Sequence, residues 1–403
     1  MRAYERFLNY VKIYTTSDPE STATPTAARE RDLALLLVDE LKAMGIADAR
    51  VDEKSYVYAT LPATPGLEQK DAIGFIAHLD TAPDAPGENV RPVLHENYDG
   101  GDVALGSITL SPAMFPHLAQ MKGKTLITTD GTTLLGADDK AGIAEIMTML
   151  ERVMGEGIAH PKICIAFTPD EEVGAGADHF DVSGFGAKYA YTVDGDAPGL
   201  IEYETFNAAD ATFEIQGVSV HPGSATGIMV NAGLIAAELA MMLPQNETPA
   251  TTQEREGFYH LCSLKGKVES AVLEYIVRDH DREKFEARKA FCAEVAETLN
   301  QKYGEGTVKV TVTDSYYNMA EKIEPCFFLV ENALEVCRAL GLDARCEPVR
   351  GGTDGSRLSF MGLPCPNLPT GGRAFHGPYE HITTEDMDIC VETLLGLVKK
   401  YAE

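Results

Sequence analysis

The order of apolar and polar positions predicts short buried strands that alternate with amphipathic helices. Leu33, Leu37 and Leu41 recur at the spacing of one helix face, and Gly45 closes that segment. Continuous apolar runs at 72–77, 163–167 and 189–193 are typical of strands buried on both faces of a sheet. We therefore predict an α/β fold in which a mixed sheet has helices on both faces.

A second pattern begins near residue 207 and indicates a separate α+β domain. Its predicted strands and helices follow the order βαββαβ, at 211–217, 231–242, 259–268, 271–278, 282–302 and 307–313. This order is that of the ferredoxin-like fold, which is complete in itself. We predict an inserted domain at 207–315 between two parts of the larger domain, 1–206 and 316–403. The segment 83–116, rich in Pro, Gly and Asp, is predicted to form loops.

Composition narrows the classes of partner. A chain of 403 residues is long enough for two domains, and 44% hydrophobic with 24% charged residues is ordinary for a globular protein. The 62 acids against 34 bases give a net charge of −28, which repels phosphate backbones and anionic lipids. We expect no nucleic-acid or membrane partner, and the absence of a signal-like N-terminus predicts a cytoplasmic protein.

The eight cysteines include no C-x-x-C pair, so neither a zinc ribbon nor a compact disulfide framework is expected. We interpret most of them as reduced, buried apolar residues.

Polar residues follow three of the buried strands. His78 and Asp80 end the first, Glu171 and Glu172 follow the second, and Asp194 ends the third. Taken singly, each has an ordinary explanation, such as an acidic surface turn or a hydrogen-bonded histidine that ends a strand. Because ligands of open α/β sheets bind at the carboxyl ends of strands, the repetition favours a functional site.

Two further candidates come from glycine-rich segments. Asp138 opens a helix within Gly-Ala-Asp-Asp-Lys-Ala-Gly, where an acid could be a simple cap, but Gly136 and Gly142 indicate close backbone approach. His376 stands in the glycine-rich loop 369–380.

These candidates suit a metal centre for hydrolysis. The set contains imidazoles and carboxylates without cysteine: His78, Asp138, Glu172, Asp194 and His376. Zinc accepts both ligand types, and five ligands exceed one tetrahedral site, so two metals sharing one carboxylate are expected. Two such metals lower the pKa of a bound water to about 7 and polarise a carbonyl. Glu171, beside a ligand, is the predicted general base.

Six motifs, in this order, resemble the co-catalytic di-zinc metallopeptidases, the family that includes aminoacylase. They are H-L-D-T, G-A-D-D-K-A-G, P-D-E-E-V-G, V-D-G, V-H-P-G and F-H-G-P-Y-E. The segment R-G-G-T-D-G-S and the chain length narrow the resemblance to tripeptide aminopeptidases. The resemblance covers essentially the whole chain and implies two Zn²⁺ per subunit, with small peptides as substrates.

The resemblance also implies individual roles for the site residues. Asp138 would bridge the metals, His78 and Asp194 would bind one, and Glu172 and His376 the other. Asp80 would orient His78, and the peptide bond after Asp138 would be cis.

For the inserted domain, the resemblance implies a lid and a homodimer surface. His221 would stabilise the oxyanion, with action across the dimer left open, although a turn histidine is the alternative. Substrate-binding candidates are Asn231, Arg278, Arg350 and Thr353, and an arginine suits a carboxylate terminus. Lys140 is interpreted as structural, and His381 as a helix-start or surface histidine.

Three functions remain open at this point. The first is a di-zinc aminopeptidase that hydrolyses the N-terminal bond of tripeptides. The second is an amidohydrolase of N-acyl amino acids or other non-peptide amides, which fold and metals alone do not distinguish from the first. The third is a non-catalytic binding protein on the same scaffold.

Overall fold

The computed structural model describes residues 1–403, which fold into two compact units. The first comprises 1–203, 319–347 and 353–403, and the second comprises 204–318 with the short segment 348–352. The second unit is thus inserted within the first along the chain. The exact domain boundaries given above stay a prediction.

Ten α-helices are present: α1 (Ala3–Tyr10), α2 (Glu30–Ala43), α3 (Ala137–Glu156), α4 (Val182–Phe185), α5 (Ala232–Met242), α6 (Arg282–Tyr303), α7 (Ala320–Ile323), α8 (Phe328–Ala339), α9 (Asp354–Phe360) and α10 (Thr384–Ala402). Short 3₁₀ turns occur at Pro116–Met121, Glu171–Val173, Pro222–Ser224 and Glu324–Cys326.

Seventeen strands accompany them: β1 (Arg50–Val51), β2 (Val57–Leu61), β3 (Ile73–His78), β4 (Val93–His95), β5 (Val103–Leu105), β6 (Ile108–Leu110), β7 (Leu126–Thr128), β8 (Ile163–Thr168), β9 (Tyr189–Gly195), β10 (Leu200–Ile201), β11 (Asn207–Gln216), β12 (Phe258–Gly266), β13 (Ser270–Asp279), β14 (Val308–Tyr316), β15 (Arg345–Cys346), β16 (Asn367–Pro369) and β17 (His381–Thr383).

The first unit is built on a six-stranded mixed sheet in the order β1-β2-β8-β3-β9-β16. Strands β3, β8, β9 and β16 are parallel, whereas β2 runs antiparallel to β8. Along β8, Ile165 and Phe167 pack into the core that contains α3 and α10, while Cys164 and Ala166 pack on the opposite face. Helices therefore cover both faces, which confirms the predicted fold class.

The segment 83–116 was expected to form loops only, and this prediction was wrong in part. The segment also contains the strands β4, β5 and β6. Strand β4 pairs with β7, which in turn pairs with β17. Each of these strands has three residues, too few for a periodic signal, and the pairing partners lie far away in sequence.

The second unit has the predicted ferredoxin-like arrangement. Its four strands are antiparallel in the order β12-β13-β11-β14. Helices α5 and α6 pack on this sheet through side chains that include Ile235, Leu239, Phe285 and Leu299. Within the chain order β11-α5-β12-β13-α6-β14, every predicted element is present, with boundaries that differ by a few residues.

All eight cysteines are free, and six of them are buried. No helix in the structure combines the length and the apolar composition that a bilayer-spanning segment needs.

Candidate metal centre and catalytic site

The carboxyl ends of three parallel strands bring the first candidates together. His78 is the last residue of β3 and pairs in register with Thr168, the last residue of β8. Glu171 and Glu172 follow β8 in a 3₁₀ turn, and Asp194 is the penultimate residue of β9. Because β3, β8 and β9 are neighbours in the sheet, these side chains share one edge.

The His78 ring is held in one orientation by Asp80. Its Nδ1 lies 3.1 Å from the Asp80 carbonyl oxygen and 3.3 Å from Oδ1 of the same residue. A proton on Nδ1 is therefore donated to Asp80, which leaves the Nε2 lone pair free to bind a metal. That Nε2 lies 2.8 Å from Asp138 Oδ1 and 3.5 Å from Asp194 Oδ1.

The other oxygen of Asp138 faces a second histidine. His376 Nε2 lies 3.2 Å from Asp138 Oδ2 and 3.0 Å from Glu172 Oε2. His376 has a φ of 62°, a left-handed conformation that is uncommon for a residue other than glycine. Asp138 thus stands between two pairs of side chains, His78 with Asp194 and His376 with Glu172.

Asp80 also fixes the turn that contains the two glutamates. Its Oδ1 accepts a hydrogen bond from the Glu171 backbone N–H at 3.0 Å, and its Oδ2 accepts one from Glu172 at 3.1 Å. Asp170 and Gly174, on either side of the turn, have left-handed backbone conformations. One buried carboxylate therefore orients the His78 ring and the Glu171–Glu172 backbone together.

The start of α3 presents Asp138 by close packing against the sheet. The Asp138–Asp139 peptide bond is cis. Asp139 Oδ2 accepts a hydrogen bond from the His78 backbone N–H at 3.0 Å. At Gly142, a Cβ atom would lie only 1.9 Å from the Val193 carbonyl oxygen, so only glycine lets α3 approach β9 this closely.

The site concentrates negative charge in a buried place. Burial, together with Asp138, raises the pKa of Glu172 to about 8. Burial also raises the pKa of Asp194 to about 6, although His78 opposes the shift. Hydrogen bonds to Asp138 and Glu172 raise the pKa of His376 to about 11. A buried cluster of carboxyl groups attracts protons or cations, and a bound divalent cation would stabilise the ionised carboxylates.

The donor atoms fit divalent metal ions. Two ligands bound at about 2.0 Å to a tetrahedral metal lie about 3.3 Å from each other. The four donor separations described above run from 2.8 to 3.5 Å. In two triads, His78 with Asp139 and Asp194 and His78 with Asp138 and Glu172, the candidate ligand atoms all lie within 4.8 Å of one another. Glu172 Oε1 is buried and has no hydrogen-bond partner, which fits an oxygen that binds a metal ion.

Three acidic residues near the site were not assigned a function from the sequence. Asp139 anchors the His78 backbone, as described above, and Glu380 is buried beside the start of α3. Asp354 begins α9 with Oδ2 buried and unpartnered, and burial raises its pKa to about 7. All three lie in the sequence motifs named above, and their position in those motifs is the signal that could have identified them.

Two residues, Lys140 and His381, were predicted from the sequence to have no catalytic or metal-binding role. Lys140 is buried, and its Nζ donates to the Ile13 carbonyl oxygen at 2.7 Å. His381 is fully buried in β17, so it is not a surface histidine, and it lies two residues before Thr383, the residue that caps α10. Its Nδ1 donates to the Tyr379 carbonyl oxygen, and its Nε2 lies 2.9 Å from His117 Nε2.

The remaining candidates have local partners, and their roles stay predictions. Exposed His221 accepts a hydrogen bond from Gly223 N–H at 3.1 Å, and Asn231 caps α5. Arg278 donates to the Ala209 and Val277 carbonyl oxygens, and Arg350 donates to the carbonyl oxygens of Glu254 and Glu256. Thr353 lies in the first unit, at the N-terminus of α9.

Comparison with known proteins agrees with this architecture. A family model described as a peptidase dimerisation domain matches residues 203–307. Among solved structures, an aminopeptidase from Bacillus cereus has a TM-score of 0.78 at 23% identity, covering 100% of this chain and 98% of its own. A tripeptidase from Staphylococcus aureus has a TM-score of 0.80 at 24% identity with the same coverage. These similarities show the fold.

Curated sequences give a stronger relationship. Peptidase T of Clostridium perfringens is 52% identical over 404 residues, which covers 100% of this chain and 99% of that protein. Peptidase T of Geobacillus thermodenitrificans is 53% identical over 403 residues, covering 99% and 98% respectively. The chain is therefore a peptidase, which removes the non-catalytic alternative. Identity of this extent over the whole chain shows that it belongs to the peptidase T family.

Proposed function

We propose that this chain is an aminopeptidase that hydrolyses the N-terminal peptide bond of tripeptides, with two Zn²⁺ per subunit and Glu171 as general base. The proposal is supported most by the placement of Asp138, whose two carboxylate oxygens face two different imidazoles, His78 and His376. A carboxylate so placed can bridge two cations.

The proposed ligand sets follow these contacts. His78 and Asp194 would hold one zinc ion, Glu172 and His376 the other, and Asp138 would be shared. Bound there, the two ions would supply Lewis acidity, lowering the pKa of a bound water to about 7 and polarising the substrate carbonyl.

Glu171 performs the proton transfers in this proposal. Its carboxylate takes one proton from the attacking water and later returns it to the nitrogen of the departing amine, so the proton count balances. Burial raises the pKa of Glu171 well above its usual value, with Asp194 and Asp354 adding to the shift and His78 opposing it. Cations in the site would favour the ionised form that a base requires. The Asp80 carboxylate keeps Glu171 in place by accepting a hydrogen bond from the Glu171 backbone N–H.

Substrate class is proposed from the relatives. Both quoted curated relatives are named peptidase T, and one structural neighbour is a tripeptidase. His221 is proposed to stabilise the oxyanion, and Asn231, Arg278, Arg350 and Thr353 to contact substrate. The match to a peptidase dimerisation domain supports a homodimer through the second unit.

The test combines metal analysis with a substrate panel. Purified protein is assayed for zinc content and for hydrolysis of a tripeptide with a free amine, the same tripeptide with an acetylated amine, and the matching dipeptide and tetrapeptide. We expect two zinc ions per chain and a preference for the free-amine tripeptide. Preference for the acetylated peptide would instead favour the amidohydrolase alternative.

A further inference from the structure

Glu380 connects the loop that contains His376 with the start of α3. Its side chain is buried, with 1% of its surface exposed, and it follows His376 by four residues. Oε2 accepts hydrogen bonds from the backbone N–H groups of Leu135 at 2.7 Å and Gly136 at 2.8 Å. Oε1 accepts one from Asp138 N–H at 3.0 Å.

This arrangement differs from an ordinary helix cap. A capping side chain comes from the residue that begins the helix, whereas Glu380 stands 242 residues after Asp138 in sequence. It satisfies three N–H groups of one short turn with a single carboxylate. The Glu380 N–H in turn donates to the Gly377 carbonyl oxygen at 3.1 Å, so the carboxylate is fixed relative to the His376 loop.

We propose that Glu380 is a positioning residue that sets the orientation of Asp138, so that its Oδ1 faces His78 while its Oδ2 faces His376. The inference rests on the proposed function, because it concerns the shared metal ligand. Removing these hydrogen bonds frees the backbone that presents Asp138 and separates the two loops. We expect the affinity for metal to fall and the coordination geometry to change, although every proposed metal ligand is still present.

The variant Glu380→Gln tests this with little change in size. A carboxamide has one acceptor oxygen, so its NH₂ group must face at least one backbone N–H. The matched control is Glu385→Gln, because the Glu385 carboxylate accepts from only one backbone N–H, that of Thr125 at 3.1 and 2.9 Å, and the single amide oxygen of glutamine can still accept from it. Full-length, metal-free proteins are titrated with zinc chloride by calorimetry, and the visible absorption of the cobalt-saturated forms is compared.

We expect the zinc affinity of Glu380→Gln to fall about 10- to 100-fold, as loss of a group that orients metal ligands typically causes. Its cobalt spectrum should change at full occupancy, while Glu385→Gln matches wild type in both. Hydrogen–deuterium exchange of the segment 135–138 in metal-free protein should also accelerate in Glu380→Gln. A general loss of stability would not alter the cobalt spectrum at saturation.

Unchanged affinity and spectrum in Glu380→Gln would overturn the positioning role. If that variant does not fold, Glu380→Asp, shorter by one methylene, is measured in the same way with the same expectations. Wild-type protein that binds no zinc would instead overturn the proposed function, so the two failures are distinguishable.

Discussion

His78 Nε2 lies 2.8 Å from Asp138 Oδ1, although 60 residues separate the two in sequence. The histidine ends β3, and the aspartate lies at the start of α3 with non-helical backbone angles, so the contact depends on how closely that end of the helix packs on the sheet. The same aspartate reaches His376 with its other oxygen. The centre is thus organised around one carboxylate, and the first prediction concerns it.

Replacing Asp138 with asparagine should remove metal. The carboxamide has one oxygen and no negative charge, so it cannot bridge two cations as a carboxylate does. We expect bound zinc to fall from two ions per chain to one or fewer, with loss of activity. Metal analysis after dialysis measures this, and retention of two zinc ions would exclude Asp138 as the bridge.

Replacing Glu171 with glutamine should separate metal binding from turnover. The amide cannot accept the water proton, while the proposed ligands remain, so kcat should drop by about 10²- to 10⁴-fold with zinc content unchanged. Kinetics and metal analysis on the same preparation give both values. Nearly normal turnover would mean that another group is the base.

Replacing Asp80 with asparagine should weaken the site indirectly. Only one of the two oxygens would remain to serve His78 Nδ1 and the N–H groups of Glu171 and Glu172. We expect kcat to fall about 10- to 100-fold. The control is Asp52→Asn, whose carboxylate accepts hydrogen bonds from Lys54 and Tyr56 N–H in the β1–β2 turn. Equal loss in both variants would indicate a general effect on stability.

Glu145 should make stability depend on pH. Its carboxyl is fully buried within α3 with neither oxygen hydrogen-bonded, and burial raises its pKa well above the usual value. The folded protein therefore holds this proton more tightly than the unfolded chain. The resulting stabilisation is complete below the unfolded pKa of about 4.3 and is lost as pH rises towards the folded value.

We therefore expect Glu145→Gln, which resembles the neutral carboxyl, to melt at increasingly higher temperature than wild type as pH rises from 5.5 to 8.5. The wild-type free energy of unfolding should lose up to about 1.4 kcal/mol per pH unit from this group. Thermal melts in one fixed metal state measure it. The control is Glu156→Gln on the same helix, where the carboxylate is exposed and bonded to Arg152. A constant difference across the pH range would contradict the assignment.

Gly142→Ala should push α3 away from β9. The added Cβ would lie 1.9 Å from the Val193 carbonyl oxygen, and overpacking of this kind costs about 1–3 kcal/mol. Gly155→Ala on the same helix has no atom within 4 Å of the added Cβ and should stabilise by about 0.4–1 kcal/mol. Denaturant unfolding of both variants measures the difference. Similar effects in the two would show that helix propensity outweighs the close contact.

Much of the fold was accessible from local pattern. The predicted strand at 163–167 is Ile163–Thr168, and the predicted helix at 282–302 is Arg282–Tyr303. Periodicity succeeds there because one face or both faces of a long element are buried. It failed at β4, where three residues pair with a distant strand and leave no periodic signal.

The sequence by itself determined the order of strands and helices and the chemical types of the candidate site residues, because both are local properties of the chain. Glycine at 142 and the acids and histidines at strand ends are also visible in it. Only the tertiary structure decided which oxygen of Asp138 faces which imidazole, and that Glu380 holds the Asp138 backbone. Those relationships join residues up to 242 positions apart, and they depend on packing between α3 and the sheet that no local pattern encodes.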